Sequence, residues 1–292
     1  MKMMRVIINA DDLGMSMEVN ASIEKAIKEG CISSSTIMAN APAFEDAVRI
    51  AKNNPQISYG VHLNVDEFAP LTNNDVFRKY QIVDETGVFK KEILHKFPVI
   101  EDELVWAIYT EWKAQVDKVF ASGIVPTHLD SHEHTHGIIC LQEILIRLLK
   151  EYNIRLIRRK PYTSIAEMII NRGVKINQPS NRKNSLLPQV SHITKSHSFF
   201  IRRLLQLKDG CIQRKWIRRM HKEGIATTAF FDSYQMFCNA YPKLLKYRPI
   251  KTVELMTHPG HPGYQIETDL VMQKKLNSVC KYELINFNHI KK

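Results

Sequence analysis

Pro126-Thr127-His128-Leu129-Asp130-Ser131-His132-Glu133-His134-Thr135-His136 puts four histidines and two carboxylates within nine residues. His128, Asp130 and His132 fall at every second position, so on an extended strand their side chains leave the same face. Upstream, Val119 to Pro126 reads as a helix end, a break at Gly123 and a short strand. Downstream, Ile138 to Leu149 is apolar with helical spacing. The cluster is therefore expected at the C-terminal end of a strand that leads into a helix, where parallel α/β proteins gather their chemistry. A lone histidine is ordinarily structural. Four around an acid suit neither a core nor a solvated face, and imidazole with carboxylate is the ligand set of a divalent metal.

His132-Glu133-His134-Thr135-His136 also fits H-E-x-x-H, the zinc-peptidase pattern, which needs both histidines on one helix face. The alternating residues up to His132 favour extended backbone, and Gly137 opposes a helix centred on the motif. The apolar face that such a helix would bury is missing before Glu133, so a zinc peptidase is the lesser alternative.

Working outward, short β-branched runs alternate with amphipathic segments. Strands are expected at 5–10, 35–39, 57–64, 154–158, 226–230, 252–258 and 282–287. Helices are expected at Met17–Glu29, Ala43–Asn53, Glu101–Ala121, from Ile138 to about Tyr152, Ser164–Arg172, Ser198–Asp209 and Asp269–Cys280. Ser16 is a candidate N-cap for the first helix and Gly30 its stop. Asp66–Phe97 reads as loops and short helices over the site. Strand then helix, repeated, is a parallel α/β architecture. No glycine-rich phosphate turn follows the first strand, which favours a (β/α) barrel over an open dinucleotide-binding sheet.

The 292 residues, 44% hydrophobic and 24% charged, suit one large globular domain. Five cysteines without a C-x-x-C pair argue against a disulfide framework. With no signal-like N-terminal run and no apolar stretch of membrane-spanning length, a cytoplasmic protein without a membrane partner is expected. The formal net charge is +11, yet Lys150–Lys222 alone carries 18 Lys or Arg against three acids, leaving the remainder net acidic. The stretch at about 160–222 reads as an insertion-like basic segment of solvated faces. No nucleic-acid motif accompanies it, so nucleic acid is not an expected partner.

Strand exits carry Asp11 and Asp12, Asn40, His62, the 128–136 cluster and His258, which would converge on one barrel mouth. A carboxylate with two imidazoles makes an open site for zinc or a similar ion, and one of two adjacent aspartates can take a proton from water. From position, Asn40, His128 and Asp130 are candidates to hold substrate or orient the metal ligands. Taken singly, Asp11 and Asp12 also suit a helix cap, and Asn40 or His258 a turn.

Asn9-Ala10-Asp11-Asp12-Leu13-Gly14, Gly60-Val61-His62-Leu63, Thr127 to His136 and Glu254-Leu255-Met256-Thr257-His258-Pro259-Gly260, in that order, resemble the motifs of the YdjC-like carbohydrate deacetylases. The third of these is long and specific. The resemblance implies a distorted (β/α) barrel related to polysaccharide deacetylases, and metal-dependent hydrolysis of an N-acetyl group on an amino sugar or oligosaccharide. By motif position it implies Asp12, His62 and His132 as ligands of a divalent metal, zinc or magnesium. It implies Asp11 as base and His258 as acid. No family motif covers the basic segment, and self-association into a homo-oligomer is left open. The alternative from another class is a non-catalytic metal-containing barrel that binds an anionic partner.

Overall fold

Val6, Ile8 and Ala10 join the large apolar core with Val19, Ile23 and Ala26 of the following helix. Ile7, from the other face of the same strand, lies in a separate small cluster with Leu156, Ile285 and Phe287. The period-2 alternation of a strand accounts for this division. It gives the first strand an outer face under the helices and an inner face on which Ile7, Asn9 and Asp11 follow one another. The computed structural model describes residues 3–73, 75–97, 99–159, 199–244 and 251–290. The expected helix at Ser164–Arg172 and most of the basic segment lie outside them.

Seven strands form one sheet: β1 (Met4–Leu13), β2 (Ser34–Ile37), β3 (Ser58–Leu63), β4 (Leu129–Ser131), β5 (Phe230–Ser233), β6 (Thr252–Thr257) and β7 (Tyr282–Leu284). Their order is β4-β3-β2-β1-β6-β5, with β7 beside the start of β1. Every pairing is parallel. Beyond β4 the pairing continues as single bridges, Leu129 with Ile157 and Leu156 with Ala226, and the Ala226 segment runs on into β5. Four backbone hydrogen bonds hold these bridges, among them Arg158 N to Leu129 O at 2.9 Å and Ala226 N to Arg155 O at 2.8 Å. The result is an α/β half-barrel whose remaining arc is closed by bridges; the strand–helix alternation predicts a barrel, and the family resemblance implies its distortion. The strand expected at Ile154–Arg158 is cut to these bridges because its neighbours, three-residue β4 and Ala226, offer few backbone partners.

Helices α1 (Met17–Lys28), α2 (Phe44–Asn53), α3 (Asp75–Lys79), α4 (Asp102–Ala121), α5 (Gln142–Glu151), α6 (Phe199–Lys222), α7 (Tyr234–Leu244) and α8 (Gln265–Met272) complete the described elements. The Ser16 hydroxyl accepts from Val19 N at 3.2 Å, and Gly30 follows α1 at φ +65°, so both expected caps are present. The helix expected from Ser198 to Asp209 runs on to Lys222. The last helix ends at Met272, where Lys274 at φ 50° starts a 3₁₀ turn over Lys275–Ser278.

Helix α4 buries the expected stripe of Leu104, Ile108, Trp112 and Val116, but also Glu111 and Gln115. Buried polar side chains need partners, and these two find theirs in the loop after β3. Gln115 Oε1 accepts from Asn64 N at 2.8 Å and its Nε2 donates to Asn64 O at 2.6 Å. Glu111 accepts from Leu71 N, Thr72 N and the Thr72 hydroxyl at 2.7–3.0 Å. A helix packed on the core thereby fixes a loop at the mouth of the barrel.

Candidate active site

At the end of β1 the register against β2 runs Ala10 with Ser35 and then Leu13 with Ile37, so β1 carries one extra residue. Asp12 takes φ 67°, a left-handed conformation that Asp tolerates better than most residues. This bulge aims two consecutive carboxylates at different partners. Asp11 meets Arg158; Asp12 meets two imidazoles. All three aspartates of the site, Asp11, Asp12 and Asp130, are buried, as are His62, His132 and His258.

Asp12 Oδ1 lies 3.3 Å from His62 Nε2 and 3.1 Å from His132 Nδ1. The donor atoms of Asp12, His62 and His132 all fall within 4.8 Å of one another. Register places His62 opposite Asp130 on neighbouring strands, and His62 Nδ1 donates to Asp130 Oδ1 at 2.7 Å. Nε2 is therefore the nitrogen that His62 turns toward Asp12, the arrangement that a carboxylate behind a metal-ligating imidazole produces. Two imidazoles and one carboxylate in a buried cluster fit a divalent cation with open positions. Burial alone would lower the pKa of both histidines. The carboxylates of Asp130 and Asp12 outweigh it for His62, which rises to about 9. Asp12 and Glu67 do the same for His132, which rises well above the ordinary value. A second triplet, Asp11, His62 and Asp130, is equally close, but Arg158 engages both of its carboxylates.

Arg158 is wholly buried and stands at the centre of the acids. Nη1 and Nη2 bind Asp11 as a fork at 2.6 and 2.7 Å. Nη1 also reaches Asp130 Oδ2 at 2.8 Å, and Nε donates to Glu254 Oε1 at 2.6 Å. Burial would raise the Asp11 pKa, but the guanidinium overrides it and holds the carboxyl far below the usual range. Glu254 is less well compensated: burial pushes it up to about 7 against the pull of Arg158. On the far side, His258 Nε2 faces Asp11 Oδ2 at 3.9 Å and Nδ1 donates to Glu267 Oε2 at 3.1 Å. Burial lowers the His258 pKa, but Glu267 raises it above the ordinary histidine value.

The other expected residues take distinct places. Asn40 Nδ2 donates to the carbonyls of Glu67 and Ala69 at 3.1 Å, and Oδ1 accepts from Asn64 at 3.0 Å. His128 is wholly buried, its ring stacked on Phe287 at 3.6 Å between centroids. Burial and Arg158 hold it well below the ordinary pKa. Asp130 also accepts from the Thr36 hydroxyl at 3.0 Å. The H-E-x-x-H segment is a kinked 3₁₀ stretch with Glu133 at φ 47° and His134 at φ 57°, so no peptidase helix exists there. His136 is bonded instead to Ser131 at 2.7 Å.

Sequence reasoning gave no role to Arg158, Glu254, Thr36, Glu67 or Glu267. Glu254 carried one usable signal, a lone acid inside the apolar run Thr252-Val253-Glu254-Leu255-Met256, which calls for a buried cation.

Three curated relatives are each named carbohydrate deacetylase. That of Clostridium beijerinckii is 37% identical over 151 residues, 52% of this chain and 58% of its own length. One from Vibrio cholerae serotype O1 is 37% identical over 153 residues, with the same two coverages. One from Thermoanaerobacter pseudethanolicus is 31% identical over 170 residues, covering 58% of this chain and 65% of its own. The matches thus span less than two thirds of the relatives' lengths. Among solved structures, one from Enterococcus faecalis V583, provisionally described as a cellobiose-phosphate cleavage protein, superposes with a TM-score of 0.67. It covers 98% of both chains at 19% identity, a likeness of fold. Residues 5–284 match the family model described as YdjC-like protein, and over that span the chain belongs to this family.

Proposed function

We propose that the protein is a metal-dependent hydrolase that removes the N-acetyl group from an acetylated amino sugar or oligosaccharide. The observation that carries this reading is the joint placement of three groups at the strand ends: the Asp12, His62 and His132 donor set, the ionised Asp11, and His258 facing Asp11. The carbohydrate deacetylases of C. beijerinckii and V. cholerae supply the substrate class.

Asp12, His62 and His132 would hold the cation, and Asp130 fixes the His62 ring through Nδ1. A divalent cation bound there would supply Lewis acidity for polarising an amide carbonyl and lowering the pKa of a water. Asp11 accepts the proton of that water. Arg158 keeps Asp11 ionised and fixes both its oxygens, which also makes it a weak base. Asp11 therefore suits only a water already acidified, and the two halves of the site depend on each other. His258, whose pKa is raised above the ordinary histidine value by Glu267, which also orients its ring, delivers a proton from Nε2 to the departing amine. Asn40, His128 and Asp130 support the site: Asn40 holds a loop, His128 fills the barrel beneath, and Asp130 orients His62.

The test is acetate release from N-acetylated chitooligosaccharides by wild type and His258→Asn. Loss of turnover with metal content unchanged supports the assigned roles. Full turnover in His258→Asn removes the acid from this mechanism.

A further inference from the structure

His62 and His132 present opposite nitrogens to Asp12. His62 offers Nε2 and has Nδ1 held by Asp130. His132 offers Nδ1, and its Nε2 lies at ion-pair distance, 3.2 Å, from Glu67 Oε2 without the alignment of a hydrogen bond. An imidazole has two nitrogens, and the partner of one decides which remains to meet a cation. Asp130 is one such partner, wholly buried on β4. Glu67 is the other, on the loop after β3 with its side chain 38% exposed.

That loop is built to hold Glu67 still. The Glu67 carbonyl accepts from Asn64 Nδ2 at 2.6 Å and Asn40 Nδ2 at 3.1 Å. Its N–H donates to Asn64 Oδ1 at 3.1 Å. Asn64 is pinned in turn to Gln115 of α4. The backbone of Glu67 is thus fixed through both polar groups, independently of its side chain.

We propose that Glu67 is a positioning residue for the metal site: it holds His132 Nε2 so that Nδ1 meets the cation beside Asp12, as Asp130 does for His62 in the opposite sense. The inference rests on the metal reading of Asp12, His62 and His132. One ligand is then set from the buried sheet and the other from a loop at the mouth, which ties metal affinity to the position of that loop.

The test is Zn²⁺ affinity of the full chain, measured by competition with a chromogenic chelator, on wild type, Asp12→Asn, Glu67→Ala and Glu67→Gln. Far-UV circular dichroism checks that each variant is folded. Wild type should bind and Asp12→Asn should lose binding. Glu67→Ala should bind about 10–100-fold more weakly, the usual cost of removing a partner behind a ligand. Glu67→Gln should recover most of this, because its amide oxygen can accept from Nε2–H. Wild-type affinity in Glu67→Ala, with Asp12→Asn impaired, overturns the role of Glu67 and leaves the metal site standing. A loss in Glu67→Gln as deep as in Glu67→Ala also overturns it, by making the carboxylate itself a ligand. Absence of binding by wild type overturns the metal reading and this inference together.

Discussion

Arg158 serves three carboxylates from three strands, Asp11, Asp130 and Glu254, and is wholly buried while doing so. A buried ion cluster of this kind gives little net stability but is costly to break from one side. Arg158→Met should therefore destabilise the protein by about 3–5 kcal/mol, read from urea unfolding. Arg158→Lys keeps the charge but not the fork on Asp11, so it should lose turnover while retaining more of the stability. The two aspartates should fail differently. Asp12→Asn should lose metal, whereas Asp11→Asn should keep it and lose turnover by on the order of 10²–10⁴-fold. Metal content and acetate release on each purified variant check this, and the opposite pattern would exchange their roles. Asp11, Asp12, His62 and His258 stood out in the sequence as polar groups at the ends of apolar runs and His132 through the histidine cluster, while their separate roles came only from the family resemblance. Arg158 did not stand out. It ends a strand reduced to two bridges and sits at the start of a strongly basic stretch, where an arginine reads as a solvated one.

Elements bring these residues together through local irregularities that a regular strand would not supply. The extra residue at the end of β1 lets Asp11 and Asp12 both enter the site. Alternation alone would send one of them to the helix side. Gly60 on β3 does comparable work beneath His62. A Cβ there would lie 2.7 Å from both the His128 ring and its carbonyl oxygen. Gly60→Ala must displace the His128 ring or part β3 from β4, at a cost of about 1–3 kcal/mol. Urea unfolding should show that loss; an unchanged midpoint would mean that β3 and β4 shift freely. Helix α4 illustrates what periodicity conveys and what it omits. Its apolar stripe is evident in the sequence, but Glu111 and Gln115 on the buried side look like solvent residues until the loop they bind is in place. The loop itself, with its asparagine and glutamate contacts, has no periodicity to read.

At the scale of the molecule, the sheet gathers four strand exits at one mouth, and the site inherits a proton linkage. His62 titrates at about 9 and His132 above its ordinary value when no cation is bound, because acidic neighbours favour their charged forms. Both must lose a proton to become ligands. At pH 7, below these values, metal binding should release protons, and apparent affinity should rise with pH through about 9. Calorimetry in buffers of different ionisation enthalpy measures the release; a buffer-independent heat would contradict it. Turnover should fall on the alkaline side as His258 deprotonates at its raised pKa, whereas Asp11, held ionised by Arg158, imposes no limb in the usual carboxylate range. The parallel half-barrel and the order of its elements follow from the strand–helix alternation, but the bridged arc that completes it does not, since single bridges leave no pattern in the sequence. Among the described residues no helix is long and apolar enough to cross a membrane.

In the proposed function, the Asp12, His62 and His132 set holds the cation that makes amide hydrolysis feasible beside a weak Asp11 base. Acetate release from an N-acetylated chitooligosaccharide, followed through chelator stripping and stepwise return of Zn²⁺ or Mg²⁺, tests it most directly. Turnover should vanish on stripping and return with about one equivalent of metal, in proportion to occupancy of the site. Turnover that survives complete stripping would contradict it.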